Sequence, residues 1–462
     1  MQKNKSLLIL VIMAFVAAGG YFGYVQFYLP QKFHKLTEKM LATAISHLSE
    51  EDRAGQVIHI AIPGQELNEE NRKVLTALRP GGIIFFGFNL ADATQIQKFT
   101  SDLQALAAEL KLPPFLISTD QEGGYVKRVR DGVLQTPPAR NLGDTSDPEL
   151  CRATGYQVSR DLGALGINVF FAPIVDINNN PKNPVIGLRS FGTTLESVLK
   201  CALPFEQGAR QAHGMGGAMP VIKHFPGHGD TQVDSHWSLP VIDKKLEELR
   251  TFELIPFRDA IKSGAPAVMT AHILYPQLDK EAPATLSPKL LTEILRGELG
   301  FKGVVFTDAM EMSAVSKHYK EVNRPITAIK AGADILLYTS WQDDPPDAKA
   351  RLVEAQKNGE ITRVADAKKE TPALTRALTN QLRAKLPYLK VEDYLPTDEA
   401  KWYLEYREKM QAKQKPAAIA YDADALKQRY ESIRWSASLT RSLEQIRRSV
   451  PVAGRLQSAA WV

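Results

Sequence analysis

Short apolar, β-branched runs recur along the middle of the chain with stretches of helical spacing between them. They are "VIHIAI" from Val57, "GGIIFFG" from Gly81, "FLISTD" from Phe115, "NVFFAPIVDI" from Asn168, "MPVIKH" from Met219, "AVMTAHI" from Ala267, "GVVFTD" from Gly303 and "DILLYT" from Asp334. Strands that are apolar almost throughout, rather than alternating with polar residues, are covered on both faces, which is the mark of a parallel sheet wrapped in helices. Eight such units in succession predict an α/β fold of the (β/α)8 TIM-like barrel type, in preference to a doubly wound open sheet.

The pattern changes at both ends. "SLLILVIMAFVAAGGYFGYVQFYL", from Ser6 to Leu29, has no charged residue. A bilayer crossing needs roughly 20 apolar residues, and this run is longer than the roughly 7–15 of a signal-peptide core. Lys3 and Lys5 precede it and Tyr21, Phe22, Tyr24 and Tyr28 crowd its far end. The expectation is a transmembrane helix over 7–29, with a signal sequence as the alternative. The basic flank stays in the cytoplasm, and the rest lies outside it, in the periplasm or at the cell surface. Phe33, Leu36, Met40, Leu41, Ala44, Ile45 and Leu48 then follow at helical spacing, which predicts a linking helix over 31–49. From 346 to 462 the chain is polar, charged and helix-prone, with Trp402, Leu404 and Tyr406 set among charges.

Composition adds exclusions. A content of 44% hydrophobic and 24% charged residues is ordinary for a globular protein. The net charge of +5 is small for 462 residues, and no nucleic-acid partner is expected. Cys151 and Cys201 are the only cysteines, too few for a disulfide framework or a zinc ribbon. They leave one pairing open, in an oxidising compartment.

Five of the apolar runs end in polar residues: Asp120 and Glu122, Asp176, Lys223 and His224, His272, and Asp308. Barrel chemistry gathers at the C-terminal ends of the strands, so these ends define the candidate site. The densest stretch is "KHFPGHGDTQVDSH", from Lys223 to His236. As a metal site it offers His224, His228, His236, Asp230 and Asp234. His224 and His228 have the i, i+4 spacing of ligands on a helix, but Pro226, Gly227 and Gly229 break helices. Nothing in the spacing requires a metal, and neither metal nor cofactor is expected. As an acid/base site it offers Asp234 and His236, which an extended segment would place on one side. A carboxylate beside an imidazole orients the ring and supports its protonated form. Asp308, closing an apolar strand, is then the nucleophile or general base; its bland alternative is the cap of the next helix.

The stretch resembles the signature of the bacterial β-N-acetylglucosaminidases of glycoside hydrolase family 3. Supporting segments stand in the same order: "STDQEGGYVKR" from Ser118, "NPVIGLRSFG" from Asn183, "MTAHILYP" from Met269, "VVFTDAMEM" from Val304 and "AGADILL" from Ala331. The resemblance covers residues 50–345 and implies a barrel domain of that family there.

It implies further that Asp308 is the catalytic nucleophile, His236 the acid/base and Asp234 its partner. Asp120, Arg128, Arg189, Lys223 and His224 match positions that hold the terminal N-acetylglucosamine. The expected activity is that of a retaining, exo-acting β-N-acetylhexosaminidase that takes a carbohydrate substrate from peptidoglycan fragments. Tyr125 replaces a frequent arginine, and Gly87-Phe88-Asn89 stands where an arginine-asparagine pair is usual. Two rivals stay open, a metal-dependent barrel hydrolase and a surface-anchored carbohydrate-binding protein without turnover. Phosphate in place of water as acceptor also stays open.

Overall fold

The structure is a computed structural model that describes residues 24–320, 322–342, 344–362, 371–414 and 423–433. The described residues divide into two compact units, one over 48–388 with 423–433, the other over 24–47 with 389–414.

In the larger unit eight parallel strands lie in the order β8-β1-β2-β3-β4-β5-β6-β7. They are β1 (Ile58–Ala61), β2 (Gly82–Phe85), β3 (Leu116–Thr119), β4 (Val169–Phe170), β5 (Met219–Phe225), β6 (Ala267–Thr270), β7 (Val304–Phe306) and β8 (Leu336–Leu337). A parallel bridge from Phe306 to Ile335 joins β7 to the residue before β8 and closes the ring. Every residue of these strands is buried, which is why the sequence runs read as continuously apolar. The turns into the outer helices carry side-chain caps. Asn68, Asp92, Asp147 and Thr194 accept backbone N–H groups at the starts of Glu69–Leu78, Ala93–Glu109, Pro148–Ala164 and Leu195–His213.

Inside the ring the two-residue alternation of a strand decides what fills the core. Leu116, Met219, Val221, Val304 and Phe306 belong to one buried apolar cluster with Ala61, Ile84, Val169, Met269 and Leu337. The same alternation reaches Asp120 beyond Leu116 and Ser118, Lys223 beyond Met219 and Val221, and Asp308 beyond Val304 and Phe306. Chemistry at the mouth is thus the last inward layer of the core. One deeper position is polar: His59 lies 2.9 Å from Ser118 Oγ, and burial pushes its pKa down to about 3. Gly82 makes room for it, since a Cβ there would sit 2.4 Å from the His59 ring.

Beyond β8, helices Asp344–Lys357 and Ala373–Ala384 belong to the same unit. Gln381 donates to the Gln56 carbonyl, Lys385 Nζ lies 3.0 Å from Gln56 Oε1, and Ala384 packs against the interior cluster. These contacts close the N-terminal end of the barrel, opposite the mouth.

Cys151 and Cys201 are joined in a disulfide with Cα atoms 5.3 Å apart. The bond links helices Pro148–Ala164 and Leu195–His213, whose close approach depends on glycine. A Cβ on Gly155 would meet the Phe205 carbonyl at 2.0 Å, and one on Gly208 the Arg152 carbonyl at 2.0 Å.

The smaller unit pairs helix Leu29–His47 with Thr397–Gln414. Phe33 stacks on Tyr403 at 4.5 Å, Lys39 pairs with Glu399 at 2.6 Å, and Lys32 lies 4.1 Å over the Trp402 ring. Among the described residues no helix is long and apolar enough to cross a membrane. The span expected over 7–29 falls outside the described residues as far as residue 23; the remainder is a helical turn, Tyr24–Tyr28, leading into Leu29–His47.

The disulfide yields a stability prediction. It separates its partners by 50 residues, and in the chain-entropy model closing such a loop contributes about 4 kcal/mol. The Cys151→Ala/Cys201→Ala variant should unfold at clearly lower urea. Addition of a reductant should shift the wild-type transition toward it and leave the variant unmoved. Coincident curves for both proteins would show that the crosslink contributes nothing.

Candidate active site

At the mouth, Lys223 is the hub of an ion-pair cluster. Its Nζ donates to Asp120 at 2.9 Å and to Glu122 at 2.6 Å, while its side chain is only 2% exposed. Glu122 also receives a two-pronged contact from Arg189, both bonds at 2.8 Å. Arg128 lies 3.8 Å from the other Asp120 oxygen. The local chain explains the convergence. After β3 the backbone turns at Gly123 and Gly124, with φ of 95° and 59°, into a hairpin of Gln121–Gly123 with Val126–Lys127. This turn returns the Arg128 N–H to the Asp120 carbonyl at 3.2 Å. Arg189 ends a short turn, Gly187–Arg189, whose approach is held by Asn183 Oδ1 accepting from Val185 and Ile186.

The charges of this cluster depend on one another. Burial alone would raise the Glu122 pKa, but Arg189 and Lys223 outweigh it and hold the carboxyl well below the usual range. Burial alone would lower Lys223, but Asp120 and Glu122 lift it above the ordinary lysine value. Tyr125 stands in the same field, and burial pushes its hydroxyl up to about 12.

His224 follows directly on Lys223. Its Nδ1 lies 2.7 Å from Asp176, and Asp176 accepts the backbone N–H groups of His224 at 3.1 Å and His228 at 2.8 Å. A buried carboxylate thereby orients the ring and anchors the loop that leaves β5. Burial opposes ionisation of Asp176, and the neighbouring His224 overcomes it, so its pKa lies below the usual value.

Asp234 and His236 form a dyad, with Nδ1 and Oδ1 2.6 Å apart. The extended segment expected from the sequence is not what pairs them. The same Asp234 oxygen accepts the His236 N–H at 2.9 Å, and the Asp234 carbonyl accepts from Trp237 at 3.0 Å and Ser238 at 3.1 Å. This is an Asx turn, in which an aspartate bonds the backbone two residues on and curls the chain. Burial lowers the His236 pKa, but the Asp234 contact and charge, with a smaller contribution from Asp308, raise it above the ordinary histidine value.

Asp308 stands just past β7. The capping alternative fails on geometry: the next helix, Ser313–Ser316, begins after Met312, and Asp308 Oδ1 accepts from its neighbour Ala309, at 2.8 Å, rather than from that helix. Burial raises the Asp308 pKa, while His272, His224 and His236 bring it below the usual value. His272 is buried behind it, 2.9 Å from the Ala309 carbonyl and 2.8 Å from Thr285 Oγ1.

All eight candidate residues therefore belong to one mouth, and three further residues support them. Glu122, Asp176 and His272 are visible as polar strand ends, but nothing in the sequence shows that Glu122 pairs with Lys223 and Arg189, that Asp176 holds His224, or that His272 bonds the carbonyl of Ala309, the neighbour of Asp308. The histidines of the dense stretch go to separate partners: His224 to Asp176, His228 to Thr231 and Ser235, His236 to Asp234. Asp230 pairs with Lys244 at 2.6 Å. Among the described residues no group of three or more His, Cys, Asp or Glu side chains is arranged to hold a metal ion.

Known proteins resemble this chain over the same region. Residues 49–371 match the Glycosyl hydrolase family 3 N terminal domain. The beta-hexosaminidase A of Pseudoalteromonas piscicida is 38% identical over 274 residues, which are 56% of this chain and 45% of that protein. The chain thus spans less than half the length of that relative. The beta-hexosaminidase of Chromobacterium violaceum is 36% identical over 301 residues, 64% of this chain and 81% of that one. Among solved structures, a glycoside hydrolase family 3 beta-N-acetylglucosaminidase from Paenibacillus sp. superposes with a TM-score of 0.68 at 39% identity, covering 79% of this chain and 69% of that one. From the extent of the family match and the fold that carries it, the chain belongs to glycosyl hydrolase family 3 and is a glycoside hydrolase.

Proposed function

We propose that this protein is an exo-acting, retaining β-N-acetylglucosaminidase that removes terminal N-acetylglucosamine from peptidoglycan-derived fragments. The observation that carries the reading is a strand-end carboxylate, Asp308, and a histidine-aspartate dyad, His236–Asp234, whose charges act on each other at one barrel mouth. The neighbouring cluster of Asp120, Arg128, Arg189 and Lys223, with His224, offers the charged donors and acceptors that bind sugar hydroxyls strongly. The names of the relatives supply the N-acetylhexosamine.

In this mechanism Asp308 attacks the anomeric carbon while protonated His236 gives its proton to the leaving oxygen. The glycosidic bond breaks, a glycosyl ester forms on Asp308, and the aglycone departs as an alcohol. Neutral His236 then takes a proton from water, the water oxygen attacks the same carbon, and Asp308 is released with the configuration retained. In this mechanism a histidine takes the place of the second carboxylic acid that most glycosidases use.

Location belongs to the proposal as well. A disulfide fits an oxidising compartment. The uncharged run from Ser6 to Leu29 with lysines before it fits an anchor whose far side carries the barrel outside the cytoplasm.

Three tests follow. Asp308→Asn should keep the fold and lose turnover by several orders of magnitude, because an amide neither attacks nor carries the glycosyl group. A fluorinated N-acetylglucosaminyl donor should label the wild type once, on the peptide bearing Asp308. A normally active Asp308→Asn protein, or a label elsewhere, would refute the nucleophile. Assays with chelator and with phosphate separate a metal-dependent hydrolase and a phosphorylase from this reading.

His236→Ala should slow substrates with poor leaving groups by ~10²–10⁴-fold and activated aryl glycosides far less. For wild type, activity on poor leaving groups should fall as pH rises through the elevated His236 pKa, when the donor loses its proton. It should fall again at low pH as Asp308 takes one up. A pH profile unchanged by His236→Ala would count against the assignment.

For location, protease added to intact spheroplasts should digest the barrel. Survival of the barrel while a known external protein is cut would reverse the topology.

A further inference from the structure

His228 is the middle histidine of the dense stretch, and the mechanism above does not use it. It is 1% exposed, and both ring nitrogens are engaged. Nδ1 lies 3.0 Å from Thr231 Oγ1 and Nε2 lies 3.1 Å from Ser235 Oγ. Ser235 is 2% exposed and sits between Asp234 and His236. Its carbonyl accepts the N–H of Ala314 at 3.3 Å, in the helix that follows the Asp308 strand. One residue between the two members of the dyad is thus tied on one side to the loop from β5 and on the other to the segment after β7. The far end of the tie is firm as well. Asn183 Nδ2 donates to the His228 and Gly229 carbonyls at 2.8 and 3.0 Å and lies 3.2 Å from Thr231 Oγ1.

We propose that His228 and Ser235 form a latch that sets the position of the His236 ring over Asp308. They are positioning residues for the acid/base step, and the inference rests on the reading of His236 as proton donor. The physical need is plain. Proton transfer requires the donor nitrogen within roughly 2.6–3.2 Å of the leaving oxygen. The dyad sits on a curled loop with a 32% exposed histidine side chain. The Asp234 contact turns the ring but moves with it, since both residues belong to the same turn. Ser235, buried and bonded on both sides, references that turn to the barrel. A displacement of about 1 Å costs on the order of 10²-fold in rate. His228 suits this task because burial, with the neighbouring His224, pushes its pKa down to about 4, so the ring stays neutral over the working range.

The test uses the full-length protein and a series of β-N-acetylglucosaminides running from 2,4-dinitrophenyl to methyl. Ser235→Ala and His228→Ala should each lower kcat/KM for the poorest leaving groups by ~10–10²-fold. The loss should shrink progressively as the leaving group improves. The double variant should lose little more than the worse single variant, because both remove one connection. Ser235→Ala deletes a single hydroxyl and carries the test should His228→Ala fail to fold. Ser235→Thr, which keeps the hydroxyl, should recover some of the loss. Equal losses across the series, full additivity in the double variant, or no loss in either single variant would overturn the latch. His236→Ala is run alongside. A leaving-group dependence in His236→Ala that is absent from both latch variants rejects the latch alone; its absence from His236→Ala rejects the proton-donor reading together with the latch.

Discussion

A lysine ammonium buried to 2% exposure cannot keep its charge without matched partners, and that constraint organises the mouth of the barrel. Lys223 is inward-facing on β5, Asp120 stands at the end of β3, Glu122 lies on the hairpin that follows, and Arg189 comes from the loop after β4. Each is costly alone in this setting, and each is stabilised by the others. Losing one partner of such a buried pair typically costs about 3–5 kcal/mol, because the other charge is left uncompensated. The cluster therefore fixes where β3, the β4 loop and β5 stand relative to one another at the mouth. Asp176 has the corresponding role for the next residue of β5, tying His224 and the start of the loop that leaves β5 to the same scaffold. Under the proposed function the same groups hold the sugar, and the rigidity of the cluster would then pre-organise the site.

Much of this was legible in the sequence. Eight apolar runs at regular spacing correspond to the eight parallel strands because burial on both faces leaves little freedom in composition. Asp308, Asp120 and Lys223 stand out because each closes an apolar run, at the strand ends where barrel chemistry gathers. The pairing of Asp234 with His236 was visible in their spacing, but for the wrong reason. An Asx turn and an extended segment both bring i and i+2 together, and the sequence pattern does not distinguish them.

What stayed illegible depends on partners distant in sequence. Glu122 sits in a glycine-rich hairpin and gained its place only when Arg189 arrived, 67 residues later. The contact of Gly82 with His59 across two strands, the meeting of Cys151 with Cys201, and the insertion of Gln381 against Gln56 are of the same kind. In the sequence Ser235 is only the residue between Asp234 and His236. Its burial and its bonds to His228 and Ala314 are consequences of loop packing, which no local pattern encodes.

The electrostatics of the mouth also bear on why a histidine can serve as both donor and acceptor of one proton under the proposed mechanism. In the free protein the negative charge of Asp308 helps raise the His236 pKa, and His236 in turn helps hold Asp308 ionised. The two groups are thus set in the states the first step requires, an anionic nucleophile and a cationic acid. Formation of a glycosyl ester removes the charge on Asp308, and with it one of the influences that keep the imidazole protonated. Asp234 is then left to support the proton, and the ring, having given it up, meets the incoming water as a base. A carboxylic acid in the same place would be neutral when loaded and anionic when spent. Its second state would face the Asp234 carboxylate at close quarters. Histidine moves between positive and neutral instead, so neither step of the cycle adds a negative charge to a mouth that already holds several.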